Sequence, residues 1–160
     1  MLGDTYTGKD GAQHSEIRLQ NEASQAVGFS VRYDSDGNKN GGTSWLYSSG
    51  NYAQIGLYDD EHTKSNGFGS TNTRSMNESG QVVGDSSRYA LDASFAGYSA
   101  WISDADGATY RIGLASSEHT KANGYQESFV DSKISAQGQV LGYSLRYDDS
   151  GYTRGRSAWL

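Results

Sequence analysis

The sequence contains no cysteine, which excludes a disulfide framework and a thiolate metal site. No stretch approaches 18 consecutive apolar residues, and the N-terminus lacks the basic and apolar regions of a signal peptide. The net charge is −6, so the basic surface of a nucleic-acid-binding protein is missing as well. We therefore expect a soluble chain with no membrane partner and no nucleic-acid partner.

The composition is typical of a turn-rich β protein. Only 34% of the residues are hydrophobic, whereas the chain contains 21 glycines and 12 tyrosines. The many aromatic residues argue against intrinsic disorder, which requires a composition poor in aromatic side chains. A chain of 160 residues is long enough for one hydrophobic core, and too short for two. These features predict a single all-β domain.

Three segments repeat the same pattern, in which a glycine in one strand is followed by a tryptophan in the next. Equivalent residues are 56 positions apart between the first two copies and 58 positions apart between the last two. A fixed period of this length predicts one supersecondary unit repeated three times, at about residues 1–54, 55–111 and 112–160. The repeated residues are Gly28, Gly84 and Gly142, followed by Trp45, Trp101 and Trp159.

The middle copy contains four short β segments separated by turns rich in glycine, asparagine, aspartate and serine. The segments cover residues 70–77, 81–89, 98–103 and 109–114. Such a series predicts a small four-stranded antiparallel meander. No window shows apolar residues at helical spacing, so we expect almost no helix.

The second strand of each copy alternates small and large side chains, which places them on opposite faces. This alternation predicts stacked sheets, with the large face of one filling the hollow of the next. A mid-strand glycine indicates close approach of another group, which we expect to be the neighbouring sheet. The middle copy departs from this pattern, because Asp85 stands where the other copies have Phe29 and Tyr143. Its carboxylate indicates either an edge or solvent-facing surface, or a functional site peculiar to this copy.

Several strings share a further likeness. Residues 77–84 read Asn-Glu-Ser-Gly-Gln-Val-Val-Gly and residues 137–144 read Gln-Gly-Gln-Val-Leu-Gly-Tyr-Ser. Ser-Ala-Trp and Ile-Gly-Leu also recur. Together these strings resemble the HAF-type repeats of bacterial extracellular proteins. The resemblance implies β-propeller-type blades in an extracellular protein, and it implies no particular activity.

Three blades do not close a propeller, which needs at least about four. The fold can therefore close in two ways. Leu2 and Gly3 resemble the tail of a fourth strand, and the last copy lacks a fourth strand of its own. Two chains would form a six-bladed ring as a homodimer. Alternatively, three four-stranded units would close within one chain as a β-trefoil or β-prism. The resemblance favours the propeller and self-association.

The loops between copies carry a repeated Glu-His-Thr-Lys motif. A histidine beside a carboxylate is suited to acid–base work. The structural alternative is a histidine that hydrogen-bonds toward the tryptophan of the third strand, as in WD-repeat propellers. One histidine per loop gives no metal signature, and we expect no metal or other cofactor. The candidate binding residues are Glu61, His62, Lys64, Glu118, His119 and Lys121, together with Asp85.

An Arg-Tyr pair also ends the second strand of every copy, with the arginines at Arg32, Arg88 and Arg146. An arginine recognises carboxylates and a tyrosine stacks on sugar rings. We expect a structural role, in which the arginine binds a turn carbonyl and the tyrosine packs between blades. The Asp-Gly segments at residues 34–38 and 104–107 have alternating oxygens that suit calcium, but their positions in the repeat differ, so we interpret them as turns.

The sequence leads to three hypotheses for function. The first is a non-catalytic binding or assembly module for a glycan or another protein, and therefore not an enzyme. The second is a polysaccharide hydrolase that uses Asp85, Glu61 or Glu118, although the geometry of a carboxylate pair is not encoded in one sequence. The third is a structural fragment of a longer repeat array.

Overall fold

The computed structural model describes residues 4–131 and 133–160, and its regular secondary structure is almost entirely β-strand. The all-β prediction is confirmed, because the helical elements of the described residues are two short 3₁₀ turns at Asp4–Tyr6 and Ser117–His119. In the same residues no helix has the length and apolarity needed to cross a membrane. The strand tail predicted at Leu2 and Gly3 lies outside the described residues.

The eleven strands of the described residues form three antiparallel units, which we call sheets 1, 2 and 3. Sheet 1 contains β1 (Ser15–Gln20), β2 (Ala26–Tyr33), β3 (Lys39–Ser48) and β4 (Asn51–Ile55). Sheet 2 contains β5 (Thr71–Met76), β6 (Val82–Tyr89), β7 (Phe95–Ser103) and β8 (Thr109–Ile112). Sheet 3 contains β9 (Gln126–Val130), β10 (Gly142–Tyr147) and β11 (Thr153–Trp159). A short parallel pairing of β7 with β9 joins sheets 2 and 3.

The repeated glycine lies directly opposite the repeated tryptophan in each sheet. A methyl group on Gly28 would lie 2.0 Å from the indole ring of Trp45, so only glycine leaves room for that ring. The group that approaches is therefore a cross-strand ring of the same sheet, and the expectation of a neighbouring sheet was wrong. The register pairs Gly28 with Trp45, Gly84 with Trp101, and Gly142 with Trp159.

Hydroxyl side chains on the small face fix each tryptophan. The indole nitrogen of Trp101 donates to Thr71 Oγ1 at 3.1 Å, and Thr71 in turn contacts the Ser86 hydroxyl at 2.8 Å. The Ser86 hydroxyl also accepts a hydrogen bond from the backbone N–H of Leu57, which leads from sheet 1 into sheet 2. A similar network holds the other two tryptophans, since Trp45 donates to Ser30 and Trp159 donates to Ser144.

The hydrophobic core of the described residues consists of two clusters, each between successive sheets. In the first cluster Val27 and Leu46 of sheet 1 pack against Val82 and Trp101 of sheet 2. The second cluster includes Val83 and Ala100 of sheet 2, with Val130, Ile134 and Val140 from the third copy, and Trp159 packs against it. The large face of one sheet thus covers the small face of the next.

A polar ladder also runs through equivalent turns of the three copies. The amide of Asn21 donates to the carbonyl oxygen of Asn77 at 3.1 Å, and that of Asn77 donates to the carbonyl oxygen of Ser135 at 2.9 Å. Each step spans one repeat, and the ladder ties each copy to the same point of the next. The Asp-Gly segments are hydrogen-bonded turns, as expected, because Gly37 and Gly107 donate back to Asp34 and Asp104.

Candidate functional site

Asp85 lies in the interior of sheet 2, on the face turned toward sheet 3. Its strand β6 pairs with β5 on one side and β7 on the other, and the Asp85 side chain is 6% exposed. The Asp85 carboxylate accepts a hydrogen bond from Arg74 Nε at 2.7 Å. The expectation of an edge or solvent-facing position was therefore wrong, because the arginine on the neighbouring strand compensates the buried charge.

Burial governs the acidity of Asp85. Loss of hydration disfavours the ionised carboxylate and raises the pKa of Asp85 above 3.8, while Arg74 partly opposes this change. The arginine itself is 46% exposed, so solvent screens its half of the pair. The result is a carboxylate that is anchored by one partner and easier to protonate than an ordinary aspartate.

Aromatic rings from two different sheets lie beside this ion pair. Tyr98 projects from β7 and Phe129 from β9, with ring centroids 5.2 Å apart. Phe95 extends the row at 5.0 Å from Tyr98, and Tyr143 extends it at 5.5 Å from Phe129. The parallel pairing of β7 with β9 brings the two sets of rings together.

The ion pair and the rings open into one cavity of about 320 Å³ between sheets 2 and 3. The cavity combines an aromatic wall with charged and amide groups capable of several directed hydrogen bonds. Asp85 is the single carboxylate among the described residues that line it. The lining residues are Ser70, Thr71, Asn72, Arg74, Asp85, Ser87, Tyr98 and Phe129.

The lysines of the Glu-His-Thr-Lys loops have contacts within the protein. The Lys64 ammonium lies 4.9 Å from the Tyr89 ring centroid, and the Lys121 ammonium lies 4.8 Å from that of Tyr147. A second ring from the same loop flanks each ammonium, Phe68 for Lys64 and Tyr125 for Lys121. These cation–π contacts hold the loop against the end of the following second strand.

The glutamates of these loops are also partnered. Glu61 accepts hydrogen bonds from Arg88 at 3.0 Å and Arg111 at 3.3 Å. Glu118 accepts two hydrogen bonds from Arg146, at 2.7 Å and 3.0 Å. Because Glu61, Glu118 and Arg146 are all largely exposed, these pairs position side chains more than they stabilise the fold. The loops therefore behave as clamps between copies.

The predicted bond from arginine to a turn carbonyl is present in two copies. Arg32 donates to the Gly67 carbonyl at 3.0 Å, and Arg88 donates to the Gly124 carbonyl at 3.1 Å. Arg146 differs, because the described contacts of its guanidinium are with Glu118. The expectation of a turn carbonyl was wrong for this third arginine.

The predicted hydrogen bond from a loop histidine toward a tryptophan is absent from the described residues. His62 Nδ1 lies 2.5 Å from Asp59 Oδ1, and His119 Nδ1 lies 2.7 Å from the Ser116 hydroxyl. The nearby serine and threonine hydroxyls satisfy the indole nitrogens instead. Burial lowers the pKa of His62, although the bond to Asp59 raises it in part. The buried His62 imidazole is therefore harder to protonate than an ordinary histidine.

The structure does not bring all the predicted candidates together. Asp85 lies in the cavity between sheets 2 and 3, whereas the Glu-His-Thr-Lys residues form separate clamps. Sequence reasoning missed Arg74, Tyr98 and Phe129, although two of them break the repeat. At the repeat spacing, Gly42 takes the place of Tyr98 in the first copy and Asn72 takes the place of Phe129 in the second.

The residues described here show no group of three or more histidine, aspartate or glutamate side chains arranged to hold a metal ion. No protein-family model matches the chain, and no curated protein matches it. Among solved structures, the chain is similar to a fucose lectin from Kordia zhangzhouensis, determined in complex with methyl-fucoside. The two chains are 12% identical, the alignment covers 91% of this chain and 92% of the lectin chain, and the TM-score is 0.41.

Proposed function

We propose that the protein is a non-catalytic carbohydrate-binding module whose site is the cavity between sheets 2 and 3. The observation that carries the proposal is the meeting of the Arg74–Asp85 ion pair with the Tyr98 and Phe129 rings in one cavity. A pyranose has an apolar C–H face and a rim of hydroxyl groups, and this cavity offers a partner to each.

Each group has a distinct role in this proposal. The Asp85 carboxylate accepts hydrogen bonds from two sugar hydroxyls, and Arg74 donates to a third oxygen while it keeps Asp85 in place. Tyr98 and Phe129 contact the C–H face of the ring. Asn72, which lies opposite Asp85 in the register of β5 and β6, supplies both a donor and an acceptor at the rim.

The lining favours binding over hydrolysis. Most glycosidases use two carboxylates that flank the scissile bond. Asp85 is the single carboxylate among the described residues of the cavity wall. The other sequence candidates, Glu61 and Glu118, are held by arginines in separate loops. A sugar in the cavity therefore has partners for recognition and lacks the second carboxylate of such a pair.

We propose in addition that the three sheets are propeller-type blades of an HAF-type repeat, and that self-association supplies the blades needed to close a ring. The stacking of large face on small face and the Asn21–Asn77–Ser135 ladder support this reading over a β-trefoil or β-prism. Both features repeat the same contact from one sheet to the next.

A glycan array with the wild-type chain and three variants tests the binding proposal. Asp85→Asn and Tyr98→Ala remove the carboxylate and one ring, and both should abolish the signal. Tyr110→Ala is the matched control, because Tyr110 is 56% exposed on β8 and does not line the cavity. Release of reducing sugar that disappears in Asp85→Asn would instead establish the hydrolase. Absence of both signals would leave the structural fragment as the better hypothesis.

A further inference from the structure

Three glycines occupy equivalent positions in the three sheets, and two of them lie where one sheet contacts the next. Gly41 in β3, Gly97 in β7 and Gly155 in β11 have φ values of +83°, +104° and +116°. A methyl group on Gly41 would lie 2.1 Å from the Gly69 carbonyl oxygen, and one on Gly97 would lie 1.7 Å from the Gln126 carbonyl oxygen. Glycine is required at both places because the backbone of the next copy passes so closely.

Gly155 keeps this conformation without the close neighbour. Among the described residues, no heavy atom lies within 4 Å of the point where its methyl group would be. A positive φ by itself favours glycine. In the other two copies, however, the equivalent glycine also has the backbone of the next copy packed against it. The missing neighbour is a backbone equivalent to that of Gly69 and Gln126, and at the repeat spacing of 56 residues that backbone belongs to Gln13.

We infer that the edge of β11 at residues 155–156 binds residues 13–16 of a second copy of the chain. This inference deepens the proposal of propeller-type blades and rests on it. The two outer faces have the apolar character that this contact needs. Leu141 on sheet 3 is 53% exposed, whereas its equivalents Val27 and Val83 are fully buried. On sheet 1, Ile17 is 66% exposed, whereas its equivalent Val130 is 7% exposed.

The two edges are also complementary in charge. Arg156 stands at the position of Tyr98 in the repeat, and Glu16 stands at the position of Phe129. In the contact between sheets 2 and 3 these positions hold two stacked rings. Within one chain the exposed Arg156 guanidinium lies 4.1 Å from the Tyr143 ring centroid. The 44% exposed Glu16 accepts a hydrogen bond from Arg18. In the contact between two chains Arg156 and Glu16 bring opposite charges together and form an ion pair. A surface pair of this kind selects the partner and the register.

With the three sheets described here, a closed ring is reached by two copies. Each chain presents sheet 1 at one end and sheet 3 at the other, so the contact is head to tail and is made twice in a closed pair. Two chains contribute six sheets, within the range of about four to eight blades of known propellers, and three chains would exceed it. The cavity of Asp85 lies within one chain and does not require the partner.

The test is the molar mass in solution, measured by size-exclusion chromatography with light scattering. The wild type should elute at twice 17.3 kDa. Glu16→Arg and Arg156→Glu should each shift it toward the monomer, and the double variant should restore the dimer. Asp106→Arg, a charge reversal in the exposed β7–β8 turn, is the matched control and should remain dimeric. Circular dichroism checks that every variant is folded.

A wild-type monomer would overturn the inference, as would single variants that stay dimeric or a double variant that fails to recover the dimer. These outcomes are separate from those of the glycan array. Because the Asp85 cavity is complete in one chain, sugar binding by a monomer would refute the docking and leave the binding proposal intact. A dimer that binds no glycan would refute the binding proposal and leave the docking intact.

Discussion

Tyr98 and Phe129 lie with ring centroids 5.2 Å apart although they belong to different copies of the repeat. Neither ring is present at the equivalent position of the first copy, where Gly42 and Glu16 stand instead. The pair is therefore a property of one junction, between sheets 2 and 3. The same junction holds the buried Asp85 and its partner Arg74. Three residues that depart from the repeat, Tyr98, Phe129 and Asp85, therefore lie together at this junction.

Sugar binding should weaken at acidic pH because of Asp85. Burial raises the pKa of Asp85 above 3.8, and protonation removes an acceptor and the charge that holds Arg74. We expect affinity to fall as the pH drops through this raised pKa, measured by calorimetric titration between pH 4 and 7. Glu78→Gln, at an exposed carboxylate outside the cavity, should keep the wild-type profile. A wild-type affinity that stays constant between pH 4 and 7 would exclude this role.

The stability of the protein should decrease below neutral pH because of His62. A base whose pKa is lowered on folding binds fewer protons in the folded state, so the free energy of unfolding falls as the pH drops below 6.5. Melting temperatures at pH 5 and 8 measure this loss, which should be smaller in His62→Gln. His14→Gln is the control, since the His14 side chain is 59% exposed. Equal losses in the wild type and His62→Gln would contradict the assignment.

Gly84→Ala should destabilise the protein by steric conflict. A methyl group there would lie 2.1 Å from the Asn72 carbonyl oxygen and 2.5 Å from the Trp101 ring. Overpacking of this kind costs about 1–3 kcal/mol in the free energy of unfolding, which urea titration measures. Gly50→Ala is the comparison, because no described atom lies within 4 Å of its methyl position, and backbone strain alone should cost about 1 kcal/mol. A smaller loss at Gly84 than at Gly50 would refute the close approach to Trp101.

The loop lysines should matter for stability and not for sugar binding. The Lys121 ammonium lies 4.7 Å from the Tyr125 ring centroid and 4.8 Å from that of Tyr147. Removing it in Lys121→Ala should reduce the free energy of unfolding by about 1 kcal/mol. Lys39→Ala, at an exposed lysine on β3, should leave the stability unchanged. Loss of glycan binding in Lys121→Ala would show that the loops, and not the Asp85 cavity, hold the ligand.

The strands were predictable from sequence because turn residues and alternation are local signals. The strand predicted at residues 81–89, for example, corresponds closely to β6 at Val82–Tyr89. The contacts of single side chains were less predictable, because they depend on which neighbour is nearest. The indole of Trp45 bonds to a hydroxyl on the adjacent strand β2, the indole of Trp101 bonds to a hydroxyl two strands away on β5, and the loop histidine is not needed there.

The candidate site was predictable only in part, for a related reason. Asp85 stood out because a carboxylate replaced a large side chain at a packing position. Its partner Arg74 lies on another strand, and Phe129 reaches the site through a parallel pairing between two copies. Pairing between copies leaves no periodic signal in the chain. A search for residues that break the repeat would have found Tyr98 and Phe129, since scaffold positions tend to be copied and these were not.

The most direct test of the account is the mapping of sugar binding by NMR, with a panel of monosaccharides titrated into the isotopically labelled chain. The account predicts backbone amide shifts concentrated at Asn72, Asp85 and Phe129 with at least one sugar, and their loss in Asp85→Asn. Shifts confined to the loops at residues 61–68 and 118–125 would contradict the proposed site. Absence of shifts with every sugar would contradict carbohydrate binding itself.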